Sequence, residues 1–134
     1  MGKLLGQRAH PETLHFGVQQ ISTTTTPRYL SPGGDSSGVA AAGAIGMHVG
    51  RSGYITAIRA KHQTAGTGAA TITYTVEVNG VDALAVAVSN TSTTVAVATG
   101  RVYAPKGAYV SVRVDKSASI AASPLYCNAD VTFE

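Results

Sequence analysis

Between residues 125 and 134 the apolar positions recur at every second residue. Leu125, Cys127, Ala129, Val131 and Phe133 alternate with Tyr126, Asn128, Asp130, Thr132 and Glu134. Successive side chains of a strand point to opposite faces, so this period predicts a half-buried strand. Ala108, Val110, Val112 and Val114 repeat the pattern against Tyr109, Ser111, Arg113 and Asp115, behind a Pro105-Lys106-Gly107 turn. The centre of the chain predicts a hairpin. Ile72, Tyr74, Val76 and Val78 form one apolar face, Leu84, Val86 and Val88 the other, with Asn79-Gly80 between. A two-residue turn over Asn79-Gly80 pairs Val78 with Val81 and puts Leu84 on the face opposite Tyr74. A three-residue loop over 78–80, with Gly80 left-handed in a bulge, pairs Tyr74 with Leu84 and Ile72 with Val86. The second register is expected, because a one-residue slip exposes a whole apolar face.

Over 53–63 the period breaks. Ile55 and Ile58 stand three apart, and a bulge between them brings both inward. Further strands fit 37–49, 93–98 and 101–104. No stretch reads as an amphipathic helix; three glycines weaken the Ala-rich run 38–48. The count is about eight strands, which predicts an all-β, antiparallel jelly-roll sandwich. Residues 1–35 differ in texture. They carry Pro11, Pro27, Pro32 and four consecutive threonines, and their apolar pattern is weak. The reading is an extended N-terminal arm over 1–35, with a strand near 14–22, followed by a sandwich domain over 36–134.

Composition supports that class. The chain has 134 residues, enough for one domain that buries roughly two thirds of its unfolded surface. Only 13% of residues are charged, against about 25% in an ordinary soluble domain, while glycine and threonine abound. The net charge of +3 is scattered over Arg51, Arg59, Lys61, Arg101, Lys106, Arg113 and Lys116. A nucleic-acid binder clusters such residues on one element, so no nucleic acid is expected. Cys127 is alone and has no disulfide partner in the chain; it alternates with core residues and reads as a buried thiol. Neither a secretory signal nor a membrane span is read, so the expectation is synthesis in a reducing cytoplasm and no membrane partner.

No catalytic constellation survives inspection, and no enzyme is expected. Gly34-Asp35-Ser36-Ser37-Gly38 matches a serine-hydrolase segment, with Ser36 or Ser37 as nucleophile. That chemistry needs a strand–turn–helix elbow or a double barrel, which this length does not supply, so the segment reads as a turn. His10, His15, His48 and His62 lack metal-ligand spacing and read as surface residues. Glu77 and Asp82 flank the hairpin tip on an exposed turn with no pocket. Tyr29, Tyr103 and Tyr126 read as exposed contacts, and the lack of tryptophan argues against a sugar-stacking platform. No metal or cofactor is implied.

Four stretches carry a resemblance. They are Gly53-Tyr54-Ile55-Thr56-Ala57-Ile58-Arg59, Thr73 to Asp82 around Asn79-Gly80, Pro105 to Val114, and Asp130-Val131-Thr132-Phe133-Glu134. Over roughly residues 29–134 the chain resembles small jelly-roll structural proteins of tailed bacteriophages, of the capsid decoration (cement) or head-fibre type. The resemblance implies a virion protein on the capsid surface, made in the bacterial cytoplasm. It implies binding to the major capsid protein, self-association as a homotrimer, and an arm that reaches the shell. Lys3, Arg8, His10, His15, Arg28 and Tyr29 are the expected arm contacts. The alternative reading is a tail or fibre module that binds a host-surface glycan.

Overall fold

The computed structural model describes residues 11–33, 35–37 and 45–134, and eleven strands lie among them. They are β1 (Glu12–Gln20), β2 (Arg28–Tyr29), β3 (Ser31–Pro32), β4 (Asp35–Ser37), β5 (Met47–His48), β6 (Gly53–Thr64), β7 (Thr71–Val78), β8 (Val81–Ser89), β9 (Ala96–Ala104), β10 (Tyr109–Lys116) and β11 (Leu125–Phe133). No helix occurs among the described residues. One sheet has the order β3-β1-β11-β6-β9, with β4 parallel on β1. The other has the order β2-β10-β7-β8, with β5 also on β10.

The pairing is nested. The first long strand pairs with the last (β1 with β11), the short strands β2 and β5 share the next-to-last (β10), β6 pairs with β9, and β7 and β8 form the central hairpin. A long antiparallel ribbon wrapped over itself gives this order, which is a jelly roll. With β2 and β5 counted as one interrupted strand and the short edge pieces β3 and β4 set aside, the expected number of about eight holds.

The core lies between the sheets. Phe16 and Val18 of β1, Ile55 and Ile58 of β6, Tyr74 and Val76 of β7, Val112 of β10 and Val131 of β11 are all buried in it. The alternation read in β10 and β11 is confirmed on the inner side, except that Leu125 lies at the margin and is 36% exposed. The bulge in β6 is also present. Its pairing with β11 steps from Ile55↔Phe133 to Ala57↔Thr132, leaving Thr56 unpaired, and both Ile55 and Ile58 are fully buried.

Two expectations are corrected. First, residues 12–33 are not an arm. β1 pairs with β11 along its length, and β3 pairs with β1 in turn. Leu14, Phe16 and Val18 share the inner side of β1 and complete the core beside Val131 and Cys127. Four apolar residues between Pro11 and a threonine run are a weak local signal, but β11 needs a neighbour on that side. Second, the hairpin uses the two-residue turn. Asn79 and Gly80 both have positive φ (52° and 80°), the geometry that matches strand twist, and Val78 pairs with Val81. The slip is absorbed further on: Glu77 pairs with Asp82 and Val76 with Leu84, so Ala83 is the extra residue. Tyr74 therefore pairs with Val86 and Ile72 with Val88, and the apolar faces still coincide.

Candidate functional site

The outward side of the first sheet is built from the polar half of each alternation. β1 contributes His15, β11 contributes Asn128 and Asp130, and β6 contributes Arg59 and Lys61. The register places His15 opposite Asp130 and Asp130 opposite Arg59, one row across three strands. Asn128 and Lys61 form the adjacent row. Gly33, held to β1 by its N–H donating to the His15 carbonyl at 2.8 Å, closes one end, and Val95 the other. These side chains line an open cavity of about 330 Å³.

Its charges are unevenly matched. His15 Nδ1 lies 2.8 Å from Asp130 Oδ1, both groups well exposed. Arg59 makes one long hydrogen bond among the described residues, to Thr132 Oγ1 at 3.4 Å. Lys61 makes none among them. Beside this groove, on β6 and β9, the Arg101 guanidinium stacks 3.6 Å from the Tyr54 ring centre, and Tyr54 meets Tyr103 edge to face at 5.6 Å.

The outward side of the second sheet carries a different cluster. Arg113 on β10 donates to Glu77 on β7, to both carboxylate oxygens of Asp82 at 2.8 and 3.2 Å, and to Asp115 at 2.7 Å. Tyr29 completes it by donating to the Glu77 carboxylate, 3.1 Å from each oxygen. Burial and the adjacent Glu77 hold the Tyr29 phenol above its ordinary pKa. The Arg113 hydrogen bonds hold Asp82 below its ordinary value. A saturated network of this kind fastens β2, β7, β8 and β10 together. It offers no free acid or base.

The expected arm contacts are not brought together. Lys3, Arg8 and His10 lie outside the described residues. His15 sits in the first sheet, whereas Arg28 and Tyr29 sit in the second, on β2. Arg28 is half-buried, and Tyr29 is only 4% exposed, so it is not a surface contact; Tyr103 and Tyr126 are exposed as expected. Three further readings are corrected. Glu77 is buried under Arg113 and Tyr29 instead of lying on an exposed turn. His62 is fully buried, its Nε2 2.7 Å from the Tyr74 hydroxyl, and burial lowers its pKa. Asp35–Ser37 forms a strand parallel to β1 where a turn was expected; the flanking Gly34 and Gly38 lie outside the described residues.

Cys127 is the buried thiol expected, and burial pushes its pKa up to about 11. Among the described residues no group of three His, Cys, Asp or Glu side chains is placed to hold a metal ion. No helix among them is long and apolar enough to cross a membrane. Sequence reasoning missed the groove. Its members were legible as outward positions, but the rows that join them come from the β1-β11-β6 strand order.

No family model and no curated protein matches the chain. Among solved structures, that of Eiger TNF from S. frugiperda aligns over 92% of this chain and 93% of its own, at 12% identity and a TM-score of 0.45. A likeness that distant says nothing of activity or partners.

Proposed function

We propose that the chain is a structural protein of a tailed-bacteriophage virion, a capsid decoration protein that binds the assembled shell through the major capsid protein and reinforces it. The observation that carries this reading is the nested jelly-roll pairing, which is the fold the phage resemblance implies. The surfaces support it in a secondary way. On the second sheet the Arg113 cluster with Glu77, Asp82 and Asp115 ties three strands together, which suits a rigid part that works by contact. Many copies on a repeating shell gain avidity, so each contact can be modest. Self-association as a homotrimer belongs to the same proposal.

The attachment segment is narrower than the sequence implied. Phe16, Val18, Ile21 and Leu30 are all core residues. Burying each stabilises the fold by about 1.5–3 kcal/mol. Removing all four costs about 6–12 kcal/mol, as much as the whole stability of a typical domain. Deleting residues 1–30 therefore unfolds the protein and tests nothing about binding. Attachment is assigned instead to residues 1–10, with Lys3, Arg8 and His10, and to the exposed His15.

The test is to mix the purified chain with undecorated phage heads and image them. Ordered density on the shell is expected, and its absence overturns the decoration reading. Deleting residues 1–10 is expected to leave thermal unfolding unchanged and to abolish attachment. Full attachment by that variant overturns the assignment to the segment while leaving the decoration reading standing.

A further inference from the structure

The geometry points to the groove on the outward side of the first sheet as a binding site for an acidic saccharide, that is, a sugar carrying one anionic group among its hydroxyls. Arg59 and Lys61 stand two residues apart on β6, so both side chains project to the same side of the sheet. Two like charges so placed repel each other. The nearest acid in the row, Asp130, is engaged by His15 Nδ1 at 2.8 Å. Arg59 has only the 3.4 Å bond to Thr132, and Lys61 has no partner among the described residues. The groove therefore holds two cations that an anion would satisfy, and the planar fork of Arg59 matches a carboxylate or phosphate edge.

The remaining lining sets the rest of the ligand. The Asp130 carboxylate accepts hydrogen bonds, and among the described residues the second ring nitrogen of His15 and the amide oxygen of Asn128 have no partner, the Asn128 nitrogen being 3.2 Å from the Tyr126 carbonyl. Acceptors beside cations suit a ligand with hydroxyls as well as charge. A simple anion would leave them idle. A cavity of about 330 Å³ is at the small end of the range for ligand sites, enough for one or two sugar rings. Recognition here uses charge and hydrogen bonds, so the lack of tryptophan does not count against it. The site is a property of the single chain and can be tested without a shell; of the residues assigned to attachment it includes His15 alone.

The experiment titrates the full-length chain, free of any capsid, and follows backbone amide shifts by NMR. Four probes are compared at 0.15 M salt: sialyllactose, a phosphorylated disaccharide, neutral lactose and inorganic phosphate. Saturable shifts confined to β1, β6 and β11 are expected with at least one acidic saccharide, and none with lactose. Which acidic probe binds identifies a carboxylate or a phosphate source, and either supports the site. The Arg59→Gln/Lys61→Gln variant is expected to weaken that binding roughly tenfold or more, since it removes both charge-assisted bonds. Lys61→Gln alone serves should the double variant melt early. No binding by either acidic probe at 10 mM (on the order of the weakest useful affinity) overturns the proposal. Equal binding of lactose, binding of inorganic phosphate as tight as of any saccharide, or unchanged affinity in the variants also overturns it.

Discussion

Replacing Arg113 by leucine removes the cation from a cluster in which one acid is buried and two are not. Glu77 has a side chain only 4% exposed, whereas Asp82 and Asp115 are 61% and 36% exposed. Exposed ion pairs contribute about 0.2–1 kcal/mol each, so losing those to Asp82 and Asp115 is a minor loss. Glu77 decides the outcome. Without Arg113 its carboxylate keeps, among the described residues, only the Tyr29 hydroxyl at 3.1 Å. Stripping one partner from a buried charge pair costs about 3–5 kcal/mol. With a urea slope of about 1.5 kcal/mol/M, the unfolding midpoint falls by roughly 2–3 M.

The reverse substitution is milder. Glu77→Gln leaves Arg113 with two carboxylates and access to water, and Tyr29 can still donate to the amide oxygen. The loss expected is about 1–2 kcal/mol. Adding Glu77→Gln to Arg113→Leu then recovers stability, because no charge remains buried. Arg113→Lys, which keeps the charge but loses the fork, falls between wild type and Arg113→Leu. Urea denaturation followed by circular dichroism measures all four variants. A loss below about 1 kcal/mol in Arg113→Leu, or a double variant no more stable than that single one, refutes the reasoning. The cluster also sets an acid limit. Arg113 lowers the Asp82 pKa below 3.8, so this contribution is present above pH 3.8 and is lost as pH falls through the lower folded value.

Two further outcomes follow from buried groups. Burial lowers the His62 pKa below 6.5, so the unfolded chain takes up a proton that the folded chain refuses. Stability is then expected to fall as pH drops through 6.5, by up to about 1.4 kcal/mol per pH unit, and urea midpoints between pH 7.5 and 5.5 should flatten in His62→Phe. Lys116 is 6% exposed, and its Nζ has no hydrogen-bond partner among the described residues, so Lys116→Met is expected to raise stability by about 1–2 kcal/mol; an unchanged or lower melting temperature contradicts this.

What was legible in the sequence, and what was not, divides along a physical line. Where a strand's two faces meet different media, the period of two declares itself, as in β10 and β11. A broken period was equally informative: Ile55 and Ile58 required the bulge that β6 has. The hairpin register failed for a related reason. The apolar faces of β7 and β8 had to coincide, which was the right constraint, but the extra residue was put in the turn when the structure has it at Ala83. Asn79 explains the choice. Its side-chain oxygen accepts from the Tyr109 N–H at 2.9 Å, and its own N–H donates to the Tyr109 carbonyl at 2.8 Å. The tight turn is thus anchored to the start of β10, a contact 30 residues away that no reading of the hairpin alone contains.

The same non-locality hid the groove and misplaced the arm. In a nested jelly roll the strands nearest the two ends of the described chain become neighbours, and β11 lies between β1 and β6. A strand such as β1 therefore looks weak when read by itself, because its core contacts are supplied by residues more than a hundred positions away, Phe16 facing Ala129 and Val18 facing Cys127. Outward residues obey the same geometry. His15, Asp130 and Arg59 are unremarkable polar positions on three separate stretches until the sheet order sets them in one row. For this topology, any surface site centred on β11 must combine the beginning, middle and end of the sandwich. Substitutions at Arg59 are accordingly expected to act together with His15 and Asp130 across the row, those at Lys61 with Asn128 in the adjacent one, and both independently of the Arg113 cluster on the opposite sheet.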